Sequence, residues 1–397
     1  MRVAAPLALL VAPVLVIAAV TATDAPSGFD NQTNGFEPQA NMDSDRALFE
    51  QVKQPSDGLG PVYNAQACRE CHQNPVSGGI GQIAVLRSGI FDGTTFTEHP
   101  GGSIIHDRAV DPLIQERVFA FENVRTLRTT NNALGDGFVE AVDDSTLLAI
   151  QGSQQVALRG TAIQVPVLEA PGTTRIGRFG WKDQHASLLS FSADAFLNEM
   201  GPTSPLFPTK NTSNGNDVSF FEQIPDPDDP ATPTAPFGRQ VEAFTRFVRS
   251  TKVPPRLPTT DANILAGEQI FSNIGCNICH VVTMTTVPAG TSLNGGTFIV
   301  PDALGSKVIH PYSDFLLHDV GTGDGIVQNG GLQTMNMLRT PPLWGLRTRT
   351  RLMHDGLNLT INEAIQRHGN QAEQITGIWF LLTHRQKNQL VRFLNTL

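Results

Sequence analysis

Apolar and polar positions recur with two different periods along the chain, and the change of period divides it. Downstream of Asp261-Ala262-Asn263, a helix-start signal, Leu265, Gln269, Ile270 and Phe271 run at helical spacing until Gly275 breaks the pattern just before Cys276. Asp43-Ser44-Asp45 stands ahead of Ala47, Leu48, Phe49 and Val52 in the same way, which predicts an earlier helix leading toward Cys68. From His384 to Leu397, residues Leu390, Val391, Phe393, Leu394 and Leu397 share one apolar face, so this last helix is expected to pack on the helix begun at 261. Residues 80–180 differ. They are Gly-rich and carry short β-like pieces at 81–86 and 162–167. Residues 201–237 hold Pro225-Asp226-Pro227-Asp228-Asp229-Pro230 and too little apolar content to pack, which reads as a linker or surface loop. The expectation is a mainly α chain of two helical units, 23–200 and 238–397, with a loop-rich, partly β insertion in the N-terminal half.

Residues 1–22 read as a leader. Met1-Arg2 opens it, Val3 to Val20 is apolar, and Val20 and Ala22 stand as small residues before a cut. An uncleaved anchor is the competing reading, since the run approaches the roughly 20 residues that span a bilayer. Export to the periplasm follows from the leader reading. The length of 397 residues, with 40% hydrophobic and 16% charged, supports two cores. A net charge of −9 excludes the basic footprint that nucleic acid requires.

The cysteines change the picture most. All four lie in Cys68-Arg69-Glu70-Cys71-His72 and Cys276-Asn277-Ile278-Cys279-His280. Cys-x-x-Cys-His is a c-type haem attachment motif, and chance gives only about 0.001 copies in such a composition. Thiols three residues apart suit the two vinyl groups of one haem, and the adjacent His reaches its iron from the same side. Zinc or an iron–sulfur cluster is the alternative, but the pairs are more than 200 residues apart and each carries the extra His. The cofactors expected are two covalently bound haem c, and the helical units become two cytochrome c-like haem domains.

Three further stretches carry a resemblance: 58–64 before the first motif, 178–184 through to Glu199-Met200-Gly201, and Arg339-Thr340-Pro341-Pro342-Leu343-Trp344 through to His354-Asp355-Gly356. In their order along the mature chain they resemble the bacterial dihaem cytochrome c peroxidase superfamily, most closely the dihaem oxidoreductases likened to peroxidases or thiol oxidoreductases. The resemblance implies that Trp181 bridges the two haems, where otherwise it reads as a core Trp. It implies that Glu199 is the acid/base at the peroxide-binding iron, where otherwise it reads as a helix-end surface Glu. Arg339 corresponds to an Arg beside the electron-accepting haem, and His354 to the His of a terminal turn. Both also read as polar groups satisfied near haem propionates.

Ligation follows from the same source. In these peroxidases the residue fourteen positions beyond that turn His is a Met on the C-terminal haem; here it is His368, on a segment, 363–369, that reads as helix ending at Gly369. His280/His368 ligation is implied, with Met335, Met337 and Met353 as rival ligands and a helix-end surface His as the bland reading. Bis-His ligation lowers the potential relative to His/Met. For the first haem, His72 is the proximal ligand. Ser88 stands near the place where a loop His would supply the sixth ligand, which leaves His106, His185 or an open position. Calcium is common between the haems of relatives, but Arg349 and Arg351 stand on the supplying turn and count against it.

Three functions remain open at this level: peroxide reduction at the His72 haem with electrons entering through the His280 haem, oxidation of a thiol or protein side chain, and non-enzymatic electron transfer. The partners implied are hydrogen peroxide and a small donor protein, a cytochrome c or cupredoxin, with a homodimer allowed.

Overall fold

The computed structural model describes residues 21–228 and 235–397. The leader read over 1–22 lies outside them except for Thr21 and Ala22. Among the described residues no helix is long and apolar enough to cross a membrane. The fold is mixed, 33% helix and 15% strand in several small sheets, so strand is a larger part of it than a mainly α expectation allows. Most strands have only two or three residues, too short to leave an alternating pattern in the sequence.

Helix α1, Gln39–Glu50, starts ahead of the Asp43-Ser44-Asp45 signal. Asp45 does not cap it. Its carboxylate is buried and paired with Arg246 at 2.8 and 2.9 Å. A short helical turn, Cys68–Cys71, then leads into His72. Helix α2, Leu188–Ala195, is capped by the Ser187 hydroxyl and runs on into a π-helical turn, Phe196–Met200, which Gly201 ends at φ 91°. Helix α3, Arg239–Ser250, packs on α1, with Phe247 against Phe49 at 4.8 Å between ring centres. At its start, Asp228 accepts hydrogen bonds from Gln240 N and Val241 N, 2.9 and 3.0 Å, so the end of the Pro/Asp-rich stretch holds this helix in place.

The 80–180 region does hold a sheet. Strand β1, Ala84–Phe91, pairs antiparallel on one side with β2, Phe96–Glu98, and β3, Ile104–Ile105, and on the other with β4, Val124–Thr129, in a register that sets Ala84 opposite Thr129. Further on, β5, Leu317–His318, pairs antiparallel with β6, Leu338–Arg339.

Helix α4, Ala262–Asn273, begins where the sequence placed it: Asp261 accepts from Asn263 N at 2.8 Å, and Gly275 turns the chain at φ 98°. Helix α5, Ile361–Gln366, stops before His368, and α6, Glu373–Leu381, leads to α7, His384–Leu394. The last helix lies along α4, as predicted. Gly267 permits this close approach, because a Cβ there would collide with the Gln389 carbonyl. Phe271, Leu390, Phe393, Trp379 and Leu346 build a C-terminal core. The larger core joins Met42, Phe49, Phe138, Phe196 and Phe244 to Phe298, Leu304 and Phe315, so it draws on chain from both sides of 201–237.

Candidate functional site

Each Cys-x-x-Cys-His motif opens on its own cavity, of about 190 Å³ at His72 and about 200 Å³ at His280. The His72 ring turns Nδ1 toward the Gly79 carbonyl at 3.1 Å. A carbonyl only accepts, so Nδ1 carries the proton and Nε2 keeps its lone pair. Burial pushes the His72 pKa down to about 4, which keeps the ring neutral. His280 is built alike. Its Nδ1 faces the Tyr312 carbonyl at 2.9 Å, and burial, with His368 nearby, pushes its pKa down to about 4.

His368 lines the His280 cavity, with Nδ1 directed to the Ala364 carbonyl at 2.8 Å and a pKa lowered by burial. The two rings stand 6.5 Å apart, centre to centre. Two imidazoles that each bond one metal ion at about 2 Å have centres roughly 6 Å apart, so the pair is spaced for a metal between them. Of the rival methionines, only Met353 lines this cavity; the Met335 and Met337 carbonyls are turned to Lys182. Around the His72 cavity, no second histidine appears among the described residues. His106 and His185 both lie outside its lining. His106 places Nδ1 at 3.0 Å from Glu116 and Nε2 at 3.1 Å from the Asn198 carbonyl, while His185 Nε2 is 3.3 Å from Asp194. Ser88 is fully buried and donates to Glu122 at 3.0 Å.

Glu199 is on the wall of the His72 cavity. Its Oε2 accepts from Asn64 Nδ2 at 2.9 Å; burial raises its pKa and that hydrogen bond offsets part of the rise. The π-turn that carries it ends with carbonyls that a helix leaves orphaned. The Gly201 amide donates to Leu197 locally, and tertiary partners supply the rest. Asn211 Nδ2 also donates to Leu197, His106 Nε2 faces Asn198, the Asn64 and Ala65 amides donate to Glu199, and the Gly60 amide donates to Met200. Gly60 and Gly201 meet backbone to backbone, and a Cβ on either would clash. π-turns cluster at functional sites because they shift a side chain off the α-helical register.

Trp181 lines both cavities. It is buried, its Nε1 donates to the Thr129 carbonyl at 2.7 Å, and its ring stands edge-on to His354 at 6.1 Å. Arg339 holds the segment behind it: Arg339 N donates to the Trp181 carbonyl at 2.8 Å and Nε to the Gly180 carbonyl at 2.7 Å, while Nη2 reaches Asn131 at 2.9 Å. Lys182 stands in the 178–184 stretch with no role read for it there; its buried ammonium donates to the carbonyls of Thr334, Met335 and Met337, each at 2.8 Å, and pairs with Asp324 at 3.3 Å. His318 is a second missed residue. It lines the His280 cavity, bonds Asp314 at 2.8 Å and lies 3.7 Å from Cys279 Sγ.

A protein-family model described as "Di-haem oxidoreductase, putative peroxidase" matches residues 81–397. The chain belongs to this di-haem oxidoreductase family. Family membership brings two haems, and the matched span holds the second motif while His72 lies just before it. No curated protein matches. Among solved structures, hydrazine synthase from Kuenenia stuttgartiensis aligns at 12% identity and TM-score 0.41, covering 99% of this chain and 100% of that one. A MauG-like protein associated with microbial copper homeostasis aligns at 15% identity and TM-score 0.42, covering 97% and 95%. At these scores neither likeness enters the argument.

The cavities of this di-haem family member suit the cofactor. Each has two thiols and an imidazole kept neutral by burial, in a largely apolar surround. Arg339, Arg349 and Arg351 line the His280 cavity with no acidic residue among the described lining, while Arg87 and Arg128 line the other beside Asp136, Asp194 and Glu199. The arginine wall of the His280 cavity matches a planar apolar group that ends in carboxylates. Burial pushes the Cys68, Cys71 and Cys276 thiols up to about 12, so they are unreactive thiols until chemistry is brought to them.

Proposed function

We propose that this chain is a periplasmic c-type dihaem oxidoreductase that reduces hydrogen peroxide at a His72-ligated haem, with electrons supplied through a His280-ligated haem by a small cytochrome c or cupredoxin. The observation that carries the proposal is the inequality of the two cavities. One imidazole faces a second imidazole in a cavity with no carboxylate among its described lining, whereas the other shares its cavity with three carboxylates, Asp136, Asp194 and Glu199. Cys68, Cys71 and His72 would hold one haem, and Cys276, Cys279, His280 and His368 the other. When bound, the haems supply the iron that binds peroxide and the electrons that reduce it.

Reduction of one peroxide consumes two electrons and two protons and yields two waters. The chain's own contribution is proton handling and a fixed path. Glu199 takes the proton from one peroxide oxygen and returns it to the departing one, which a positioned carboxylate does well. Trp181, immobilised through Thr129 and Arg339, stands in the wall common to both cavities. Arg339, Arg349 and Arg351 at one cavity, and Arg87 and Arg128 at the other, would hold the carboxylates of each cofactor.

Electron paramagnetic resonance of the oxidised and half-reduced protein, with and without peroxide, tests the reading. The expected result is a bis-imidazole low-spin signal that ignores peroxide beside a His72 signal that changes with it. Two low-spin signals, both indifferent to peroxide, would overturn the reading in favour of an electron carrier.

A further inference from the structure

Glu199 is tied to the chain segment that leads into the first motif. Asn64, 4% exposed, is four residues ahead of Cys68 and does not line the cavity itself. Its side chain is held at both ends. Asp107 N donates to Asn64 Oδ1 at 2.9 Å, which fixes the amide so that Nδ2 is the end turned to Glu199 Oε2, also at 2.9 Å. Its backbone acts on the same residue, since Asn64 N donates to the Glu199 carbonyl at 2.8 Å. Asp107 is placed in turn by the antiparallel pairing of Tyr63 with Arg108 next to it. Glu199 Oε1 has no protein partner in the described hydrogen bonds.

We infer that Asn64 is the positioning residue for Glu199, fixing the carboxylate by its Oε2 so that Oε1 faces the cavity. This rests on the proposed role of Glu199. One donor aimed at one oxygen selects a rotamer and stabilises the ionised form, and without it a buried carboxylate gains protons more readily. A buried Glu without this anchor also gains freedom to turn away from the cavity. The short link from Asn64 to Cys68 makes the segment before the first motif part of the proton-handling apparatus and not only a lead-in to it.

The test uses the full-length protein carrying both haems. Asn64→Leu keeps the volume and removes the donor; Asn64→Ser shortens the side chain, and is the second variant should the first misfold. Glu199 is titrated by infrared difference spectroscopy, with the carboxyl band assigned by its loss in Glu199→Gln. In either folded variant the protonated band should persist to higher pH, with on the order of ten-fold more protonated Glu199 at a given pH than in the parent. The acid limb of kcat/KM for peroxide should move the same way, with the KM for peroxide changed less than about two-fold. An infrared titration in the folded variants that overlays the parent would overturn the inference. Failure of the peroxidase reading looks different: Glu199→Gln would turn over peroxide unimpaired while the infrared shift in the Asn64 variants remained.

Discussion

Glu199 lies where burial disfavours its charge, and the Asn64 donor offsets only part of that. A base with a raised pKa is ionised only above the usual glutamate range, so peroxide turnover should fall on the acid side at a higher pH than an exposed glutamate would give. Glu199→Gln should cut peroxide turnover by about a hundred-fold or more, with both haem absorption spectra retained. His368→Met should raise the midpoint potential of one haem, because a thioether favours the reduced iron more than an imidazole does; potentiometric titration reads this, and an unmoved potential would remove His368 from the ligand set. At this scale the motifs announced His72 and His280, and the resemblance pointed to Trp181, Glu199 and His368. Asn64 and Lys182 lie in stretches that carry the resemblance, but their roles stayed hidden. Asn64 meets its partner 135 positions away and Lys182 the Thr334 carbonyl 152 positions away, and no periodicity encodes such distances.

Elements show the same division. Helices α4 and α7 follow from a capping Asp and an apolar stripe, both local features. The π-turn at Phe196–Met200 is only partly local. Gly201 marks where it ends, but it is stabilised by carbonyl partners from the segments around residues 60–65, 106 and 211, so local sequence specifies only part of it. Glu140 joins elements in the same manner. Fully buried, it pairs with Arg249 of α3 at 2.7 and 2.9 Å, accepts from Leu188 N at the start of α2, and receives Asn294 Nδ2. Burial works against its charge, but Arg249 and these donors outweigh it and lower its pKa. A lowered pKa means that the stabilisation is present above the unfolded pKa and is lost as pH falls through the folded one. Glu140→Gln should cost about 3–5 kcal/mol in denaturant unfolding at neutral pH, since it strands a buried Arg, and should weaken the acid sensitivity of the melt.

Across the whole molecule, the wall around Trp181 is common to the two cavities. A phenyl ring has neither the indole N–H that bonds Thr129 nor its electron richness. Trp181→Phe should therefore slow electron transfer between the haems at least several-fold in flash photolysis of the half-reduced protein, with both midpoint potentials unchanged. Unaltered transfer would take the indole out of the path. A pyridine haemochrome assay should return two haem c per chain, and one would show that only one motif is loaded.

The sequence by itself determined the two Cys-x-x-Cys-His motifs, the capped and striped helices of the C-terminal half, and the acidic charge balance, because each is written in neighbours along the chain. Tertiary structure decided what makes the two motifs unequal. It set His368 across from His280, brought the Glu199 turn to the His72 cavity, stood Trp181 in both walls and kept His106 and His185 outside the cavity lining. The reason is physical: a haem-attachment motif needs residues adjacent in sequence, whereas the far side of each cavity is assembled from segments that only packing and long-range hydrogen bonds bring together.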